Sequence, residues 1–490
     1  MFNELKTLVK HSSVYGISEF LRKGIGFIMI PIYTRYLTPA DYGLLELLDL
    51  TLNVIAILVG LGIGSALIRY YHNFDNIKDK QEVFTTALTF AFILSFMLIG
   101  VLELFSTPIS DLILGGRQYS KYFQIIFICL VIQNVYLVPE NYLIAQKKSL
   151  VYSILSLGTL VSNLSLNILF LVFLKMGVLG ILISMLITKA LNMLVVSMIT
   201  LRNLRYSFSW KKLKEMMSFG MPLMPAAMGM FVIHFSDRFF IQQFCNLHDV
   251  GIYSLGYKLG MILSIIVSAP IFRIWDAQRF EIAKTNEAQK VFKRIFTYYF
   301  SIVVFSGLGI SVFIDEIISI MAASEYQGAA NVVPIIVLSY IFFGTGHFFN
   351  LGIMVTNRTK YVAYIQCSVA GVNILFNLLL ISRYGVMGAA VATALSFLLL
   401  CALTFVVSQR LYPIAFEYGR AFIVFSLALL IFGLSRLIDA SLLISLGIKS
   451  LLIIAFPLVL IIGKFFYKEE MNKGIALLKG IGARLGLAKG

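Results

Sequence analysis

The chain has 490 residues, of which 59% are hydrophobic and only 13% charged, with a mean hydropathy of +0.90. A soluble protein of this length carries about twice that share of charge, so composition excludes a water-soluble globular domain and defines an integral membrane protein. The net charge of +16 would suit a nucleic-acid binder if it were gathered on one surface. Here the basic residues sort by loop, which reports membrane topology and contact with anionic lipid, and nucleic acid is not an expected partner.

In chain order, residues 1–11 (MFNELKTLVKH) lack the charged, apolar, small-residue pattern of a cleaved signal. They are expected to be retained as a short interfacial amphipathic helix. The long apolar runs that follow, separated by short polar breaks, predict helices, because a barrel would show alternating segments of about ten residues. Hydropathy gives about fourteen spans: 12–34, 42–70, 83–105, 121–146, 149–174, 178–201, 218–244, 249–275, 291–315, 331–356, 360–382, 386–410, 419–438 and 446–467. An even number puts both termini on one side. Of the 40 Lys and Arg, 28 then fall on the N-terminal side, with Lys449 among the 7 on the other. Arg22, Lys23, Lys189, Arg238 and Lys258 remain within spans. That bias predicts cytoplasmic termini. Trp210 and Trp275 fall at inner span ends, where indole suits the headgroup level. The tail, 468–490, mixes Ile and Leu with Lys and Arg and is read as a basic amphipathic cytoplasmic segment.

Three features recur at nearly one offset. Asp41-Tyr-Gly43 returns as Asp249-Val-Gly251, and Lys175-Met-Gly177-Val-Leu-Gly180 as Arg383-Tyr-Gly385-Val-Met-Gly388, each displaced by 208 residues. Asn163 and Asn167 return as Asn373 and Asn377, displaced by 210. The expected fold is therefore all-α, with two pseudo-symmetric six-helix bundles plus two C-terminal helices. The divisions are 1–201 for the N-terminal bundle, 202–217 for a basic cytoplasmic linker, 218–411 for the C-terminal bundle and 412–467 for the extra helices.

The polar residues at membrane depth are the candidates for function. Glu19, Arg22 and Lys23 share a face of the first span, as do Glu46, Asp49 and Asn53 of the second. A charge at bilayer depth costs roughly 2.5–3.5 kcal/mol even on the lenient insertion scale, so such residues face a protein interior or a wet cavity. The second bundle places Asp237, Arg238 and Lys258 on its own leading hairpin, and Glu140 adds a further anion. A cationic cavity of Arg22, Lys23, Lys258 and Arg238 would receive an anionic headgroup, while Glu19, Glu46, Asp49 and Asp237 pair, gate or exchange protons. The competing reading is a set of ion pairs that orient helices, favoured for Asp237 and Arg238. Lys189 could snorkel or pair. The two Asn pairs read as helix–helix glue, with sugar contact as the minority reading. Cys129, Cys245, Cys367 and Cys401 read as buried small hydrophobes, and His234 and His347 as satisfied core histidines. No metal or cofactor site is expected. No loop exceeds about 20 residues, which leaves no room for a catalytic domain and points to a transporter rather than an enzyme.

IPIYTRYLTPADYGLLELLDL (30–50), GIGSALIRYY (62–71), SDRFFIQQFCNLHDVGIYSLGYKLG (236–260) and NILFNLLLISRYGVMGAAVATALSF (373–397) resemble the multidrug/oligosaccharidyl-lipid/polysaccharide transporter superfamily. Within it, the resemblance is to the Wzx-type flippases of O-antigen and capsule repeat units. It implies movement of an undecaprenyl-diphosphate-linked oligosaccharide across the bacterial inner membrane by alternating access. It further implies basic cavity residues, here Arg22, Lys23 and Lys258, at the diphosphate-sugar, and partnership with the polysaccharide polymerase and chain-length machinery. Outward movement of such a headgroup gains roughly 2.3 kcal/mol per charge per 100 mV, so ion exchange is permitted but not required. The alternatives are a multidrug/cation antiporter or a peptidoglycan lipid-precursor flippase of the same fold.

Overall fold

The computed structural model describes residues 26–202, 204–438 and 441–467, and every regular element among them is helical. The expected N-terminal interfacial helix, Glu19, Arg22, Lys23 and the basic tail lie outside the described residues. Twelve described helices are long and apolar enough to cross a membrane, against the expected fourteen spans. One of them, Lys360–Leu411, covers two expected spans and turns at Gly385, whose φ of 55° and ψ of −132° are non-helical. The first expected span, 12–34, is described only from residue 26.

The helices used below are α1 (Ile30–Tyr36), α2 (Pro39–Gly60), α3 (Ile63–His72), α4 (Ile77–Leu104), α5 (Ser120–Ala145), α6 (Ser149–Asn167) and α7 (Gly177–Leu201). They continue as α8 (Trp210–Gly220), α9 (Met224–Phe235), α10 (Asp237–Phe244), α11 (Leu247–Ile262), α12 (Ala288–Val312), α13 (Ile314–Met321), α14 (Val333–Phe349), α15 (Lys360–Leu411), α16 (Tyr418–Ser435) and α17 (Leu442–Ile462). α5 packs against α4 and α7, and α7 against α6. α15 packs against α9 and α14, while α12 joins α14 to α16. Outward faces carry large apolar side chains such as Phe96, Met97, Leu104, Phe173 and Phe422, each at least two-thirds exposed, as a hydrocarbon surround requires.

Local chemistry sets the helix ends. Thr38 and Asp41 form a reciprocal capping box at the start of α2, with Pro39 in the first turn. Asn246 caps Asp249 at 2.9 Å at the start of α11, 208 residues on. Pro31, Pro222, Pro225, Pro270 and Pro334 fall where one helical segment passes into the next, and Pro139 and Pro457 lie inside α5 and α17. The drift of the repeat offset from 210 to 208 also has a local cause. Two additional residues separate Asn167 from Lys175, compared with Asn377 and Arg383, and residues Ile168–Phe173 wind as a π-helix. A π turn takes up surplus residues without unravelling its helix.

Three placements depart from expectation. Trp275, expected at the headgroup level, is buried against Phe348 at 4.5 Å between centroids, because a ring of neighbouring aromatics offers it more contact than the interface; Trp210 is exposed. The stretch read as a linker contains α8, whose Leu213 and Met216 join a core with Ile63, Leu67, Phe84 and Tyr142. Its Lys212 binds Asp79 and Glu82 of α4 at 2.7 and 2.5 Å. Lys449, counted among loop cations, sits in α17 and pairs with Glu316 of α13 at 2.6 Å, both side chains being 7% exposed. Removing one partner of such a pair strands the other charge, so Lys449→Met is expected to cost about 3–5 kcal/mol, read as a lowered unfolding temperature in detergent, with Glu316→Leu added to Lys449→Met recovering most of it.

Candidate functional site

The most extensive contact between the two repeats, among the described residues, is the crossing of α2 on α11. It is set by the repeated glycines. A Cβ on Gly43 would lie 2.1 Å from the Leu247 carbonyl oxygen, and one on Gly251 would lie 1.9 Å from that of Pro39. Only residues without side chains let the backbones approach so closely. The same end is tied by Tyr326, whose hydroxyl donates to the Leu37 carbonyl at 3.0 Å, and by Thr34, which donates to the Met321 carbonyl at 3.3 Å. Beyond the other end of α2, Leu61 and Gly62 take left-handed φ values of 46° and 67°. A Cβ on Gly62 there would stand 2.6 Å from the Gly220 carbonyl oxygen. α2 therefore meets the second repeat's residues at both of its ends.

One turn in from Gly43, Glu46 faces α11 and accepts a hydrogen bond from the Lys258 ammonium at 2.6 Å. Lys258 also donates to the Tyr42 hydroxyl at 3.2 Å and lies 4.9 Å from that ring's centre. Glu46 is buried, whereas Lys258 keeps about a third of its side chain accessible. A turn further, Asp49 is exposed, although it sits at the middle of an apolar helix, and accepts from the Asn53 amide at 3.1 Å. A carboxylate in the middle of an apolar helix is expected to face a protein interior or a wet cavity. The expected face of Glu46, Asp49 and Asn53 is thus polar as read, and its partner is a cation 212 residues away.

Asp237 and Arg238 are placed differently. Both are 1% exposed. Arg238 donates to Asp237 at 2.6 Å and to the His234 carbonyl at 2.6 Å, and stacks 3.8 Å from the centre of Tyr257. The other Asp237 oxygen accepts from Tyr253 and, at 3.1 Å, from Thr393. The pair lies inside the second repeat with no accessible face, so Arg238 does not reach a cavity: adjacency to Asp237 and an aromatic cage of Tyr253, Tyr257 and Phe235 hold it inside. His234 bonds Tyr257 at 3.2 Å and His347 bonds Asp276 at 3.1 Å, the satisfied state expected of both. Cys129 and Cys401 are buried, Cys245 is half-buried and Cys367 is exposed.

Two further cavities lie away from the crossing residues. One of about 350 Å³ lies between the repeats, with Gln133 and Asn141 of α5, Gly62 and Gly64, and Met224 and Ala227 of α9 on its walls. The second, of about 300 Å³, lies among α1, α5, α6 and α7 and is bordered by Tyr33, Glu140, Asn163, Thr188, Lys189 and Asn192. Lys189, left open in the sequence reading, donates to Gln133. Sequence reasoning passed over Tyr42, Gln133 and Thr188. Tyr42 had a signal, lying one helical turn before Glu46 on the same face. Thr188 lies 208 residues before Ser396, but only the structure shows that Ser396 is a partner of Asn373.

A family described as polysaccharide biosynthesis protein matches residues 8–275, and the chain belongs to it. Among named relatives, the succinoglycan biosynthesis transport protein ExoT of Rhizobium meliloti is 22% identical over 55% of this chain and 53% of its own length. A probable low-salt glycan biosynthesis flippase, Agl15 of Haloferax volcanii, is 24% identical over 43% of this chain and 45% of its own. The chain thus spans about half the length of these two relatives. A lipid II flippase, MurJ, in an inward closed conformation, shares the fold with a TM-score of 0.75 at 13% identity, over 91% of this chain and 98% of that one. An inward-facing multidrug resistance MATE transporter of the MOP superfamily follows with a TM-score of 0.61 at 14% identity, over 81% of this chain and 94% of that one. The molecule is a multi-pass membrane protein of the polysaccharide biosynthesis protein family, with the fold seen in MurJ and in the MATE transporter.

Proposed function

We propose that the protein flips a polyprenyl-diphosphate-linked oligosaccharide from the cytoplasmic to the outer leaflet of a bacterial inner membrane, with both termini cytoplasmic. The observation that carries this reading is Lys258, a cation held across the two repeats by Glu46 yet partly accessible. A diphosphate entering between the repeats competes with Glu46 for that ammonium. Exchange of one carboxylate for one phosphate frees α2 from α11, so substrate binding and opening become one event. Arg22 and Lys23 belong to this cavity in the proposal and supply the remaining positive charge; Arg238 and Asp237, sealed in their own network, serve packing. Asp49, exposed at depth beside Asn53, is the group assigned to any proton or cation exchange. The polysaccharide family and the glycan-transport names of the relatives support a saccharide cargo. The polymerase and chain-length machinery are the partners that would consume the product.

The test is complementation of cells lacking their own polysaccharide flippase. Surface polysaccharide is expected to return with the wild-type chain. Failure to rescue, together with raised resistance to cationic dyes, would replace this reading with drug export. Rescue of cells depleted of a lipid II flippase instead would replace it with peptidoglycan-precursor transport.

A further inference from the structure

The cavity among α1, α5, α6 and α7 has room for about ten waters at the volume each occupies in the liquid. Amides, hydroxyls, tyrosines, one carboxylate and one ammonium share its described lining with Met29, Leu160 and Met185. Polar groups are expensive at membrane depth and are kept there when they line a wet or liganded space.

The second repeat shows what the same framework does without such a space. Asn373 and Asn377 are 1% and 0% exposed and bonded to each other at 3.1 Å. Asn373 donates to Ser396 at 2.9 Å, and Ser236 and Asn377 close the network at 3.1 and 3.2 Å. In the first repeat, Asn163 and Asn167 keep their mutual bond at 2.8 Å, and Asn167 also donates to the Tyr33 hydroxyl at 3.1 Å. Thr188, the counterpart of Ser396, is 3% exposed and lines the cavity, but its hydroxyl has no partner among the described residues. Asn163 lines the cavity too and is half-buried. The second repeat ties its cluster to Ser396 and Ser236; in the first, the corresponding Thr188 hydroxyl is unbonded among the described residues and borders a cavity.

The lining identifies the guest. Among the described residues that line it, Glu140 and Lys189 supply one charge of each sign. Asn163, Thr188 and Asn192 bring both donors and acceptors to the lining, and Tyr33 and Tyr136 bring aromatic rings. That combination matches a pyranose. We infer that this cavity is a carbohydrate subsite that holds a sugar ring of the glycan during transport; the inference rests on the flippase reading for its place in the cycle.

The experiment compares Thr188→Val with Ser396→Val in the full-length protein. In detergent, unfolding temperature is measured with and without methyl glycosides of glucose, galactose, mannose, rhamnose and N-acetylglucosamine. At least one glycoside is expected to raise the wild-type midpoint, and to raise that of T188V distinctly less, while T188V alone unfolds no earlier than wild type because its hydroxyl has no partner to lose. S396V is expected to unfold earlier but to keep the glycoside shift. In the complementation cells, T188V at matched expression is expected to lower surface polysaccharide on the order of threefold to tenfold, the worth of one hydrogen bond. Protection by none of the glycosides, or equal protection of T188V and wild type, overturns the subsite. Should wild type fail to complement, the flippase reading falls, and the glycoside shift with its loss in T188V still decides whether the cavity binds sugar.

Discussion

Lys258→Ala is expected to reduce surface polysaccharide in complementation by more than tenfold, and to do so for two reasons that a second variant separates. The substitution removes the cation proposed to meet the diphosphate, and it strands the buried Glu46 carboxylate at the contact between repeats. Stranding a buried charge costs several kcal/mol, whereas replacing a whole buried pair with apolar residues of similar volume is often neutral or stabilising. Lys258 keeps about a third of its side chain accessible, so the structural share is at the low end of that range. The double variant Glu46→Met with Lys258→Met should therefore recover the wild-type unfolding temperature while remaining inactive. Transport by the double variant at wild-type levels would assign the pair to helix packing alone.

The second large effect is expected at the glycine crossing. A valine at Gly251 would drive its Cβ into the Pro39 carbonyl oxygen, and no side chain is present there to move aside. Gly251→Val should hold α2 away from α11, stop transport and expose Tyr42, which is 2% accessible in the closed contact. With Cys129, Cys245, Cys367 and Cys401 replaced, Tyr42→Cys is expected to resist a membrane-impermeant maleimide in the parent and to react in the Gly251→Val background. Gly309→Val is the control, because a Cβ there meets nothing within 4 Å. Normal transport by Gly251→Val would remove this crossing from the working cycle.

Much of this architecture could be read from the chain. Apolar runs placed the spans, and the 208-residue recurrence pointed to the helix starts that cross at Gly43 and Gly251. Hydropathy reports depth, however, and not the direction in which a side chain points. The structural reading favoured for Asp237 and Arg238 agrees with their caged pair, but depth alone could not show that Lys258 is paired across the two repeats. Helical spacing links residues three or four apart, so nothing local could match Glu46 to Lys258. Trp275 was assigned by its distance from a span end, but burial among Phe292 and Phe348 depends on helices far along the chain. The difference between the two Asn clusters was equally invisible, since Thr and Ser at the equivalent positions differ by a methyl group in sequence and by a cavity in space.

The double anchoring of α2 also bears on how a wide-bodied cargo can pass without a leak. Its contacts at Gly43 and Gly62 are separated by 19 residues, about 28 Å of helix, close to the thickness of the hydrocarbon layer. A rod that rests on α11 near one end and on Gly220 of α8 just past the other tilts about one rest by lifting from the other. The two doors of this compartment are then edges of a single beam, so opening one presses the other shut. An airlock of that kind needs no separate plug against protons and small ions: the seal on one side is the fulcrum for release on the other.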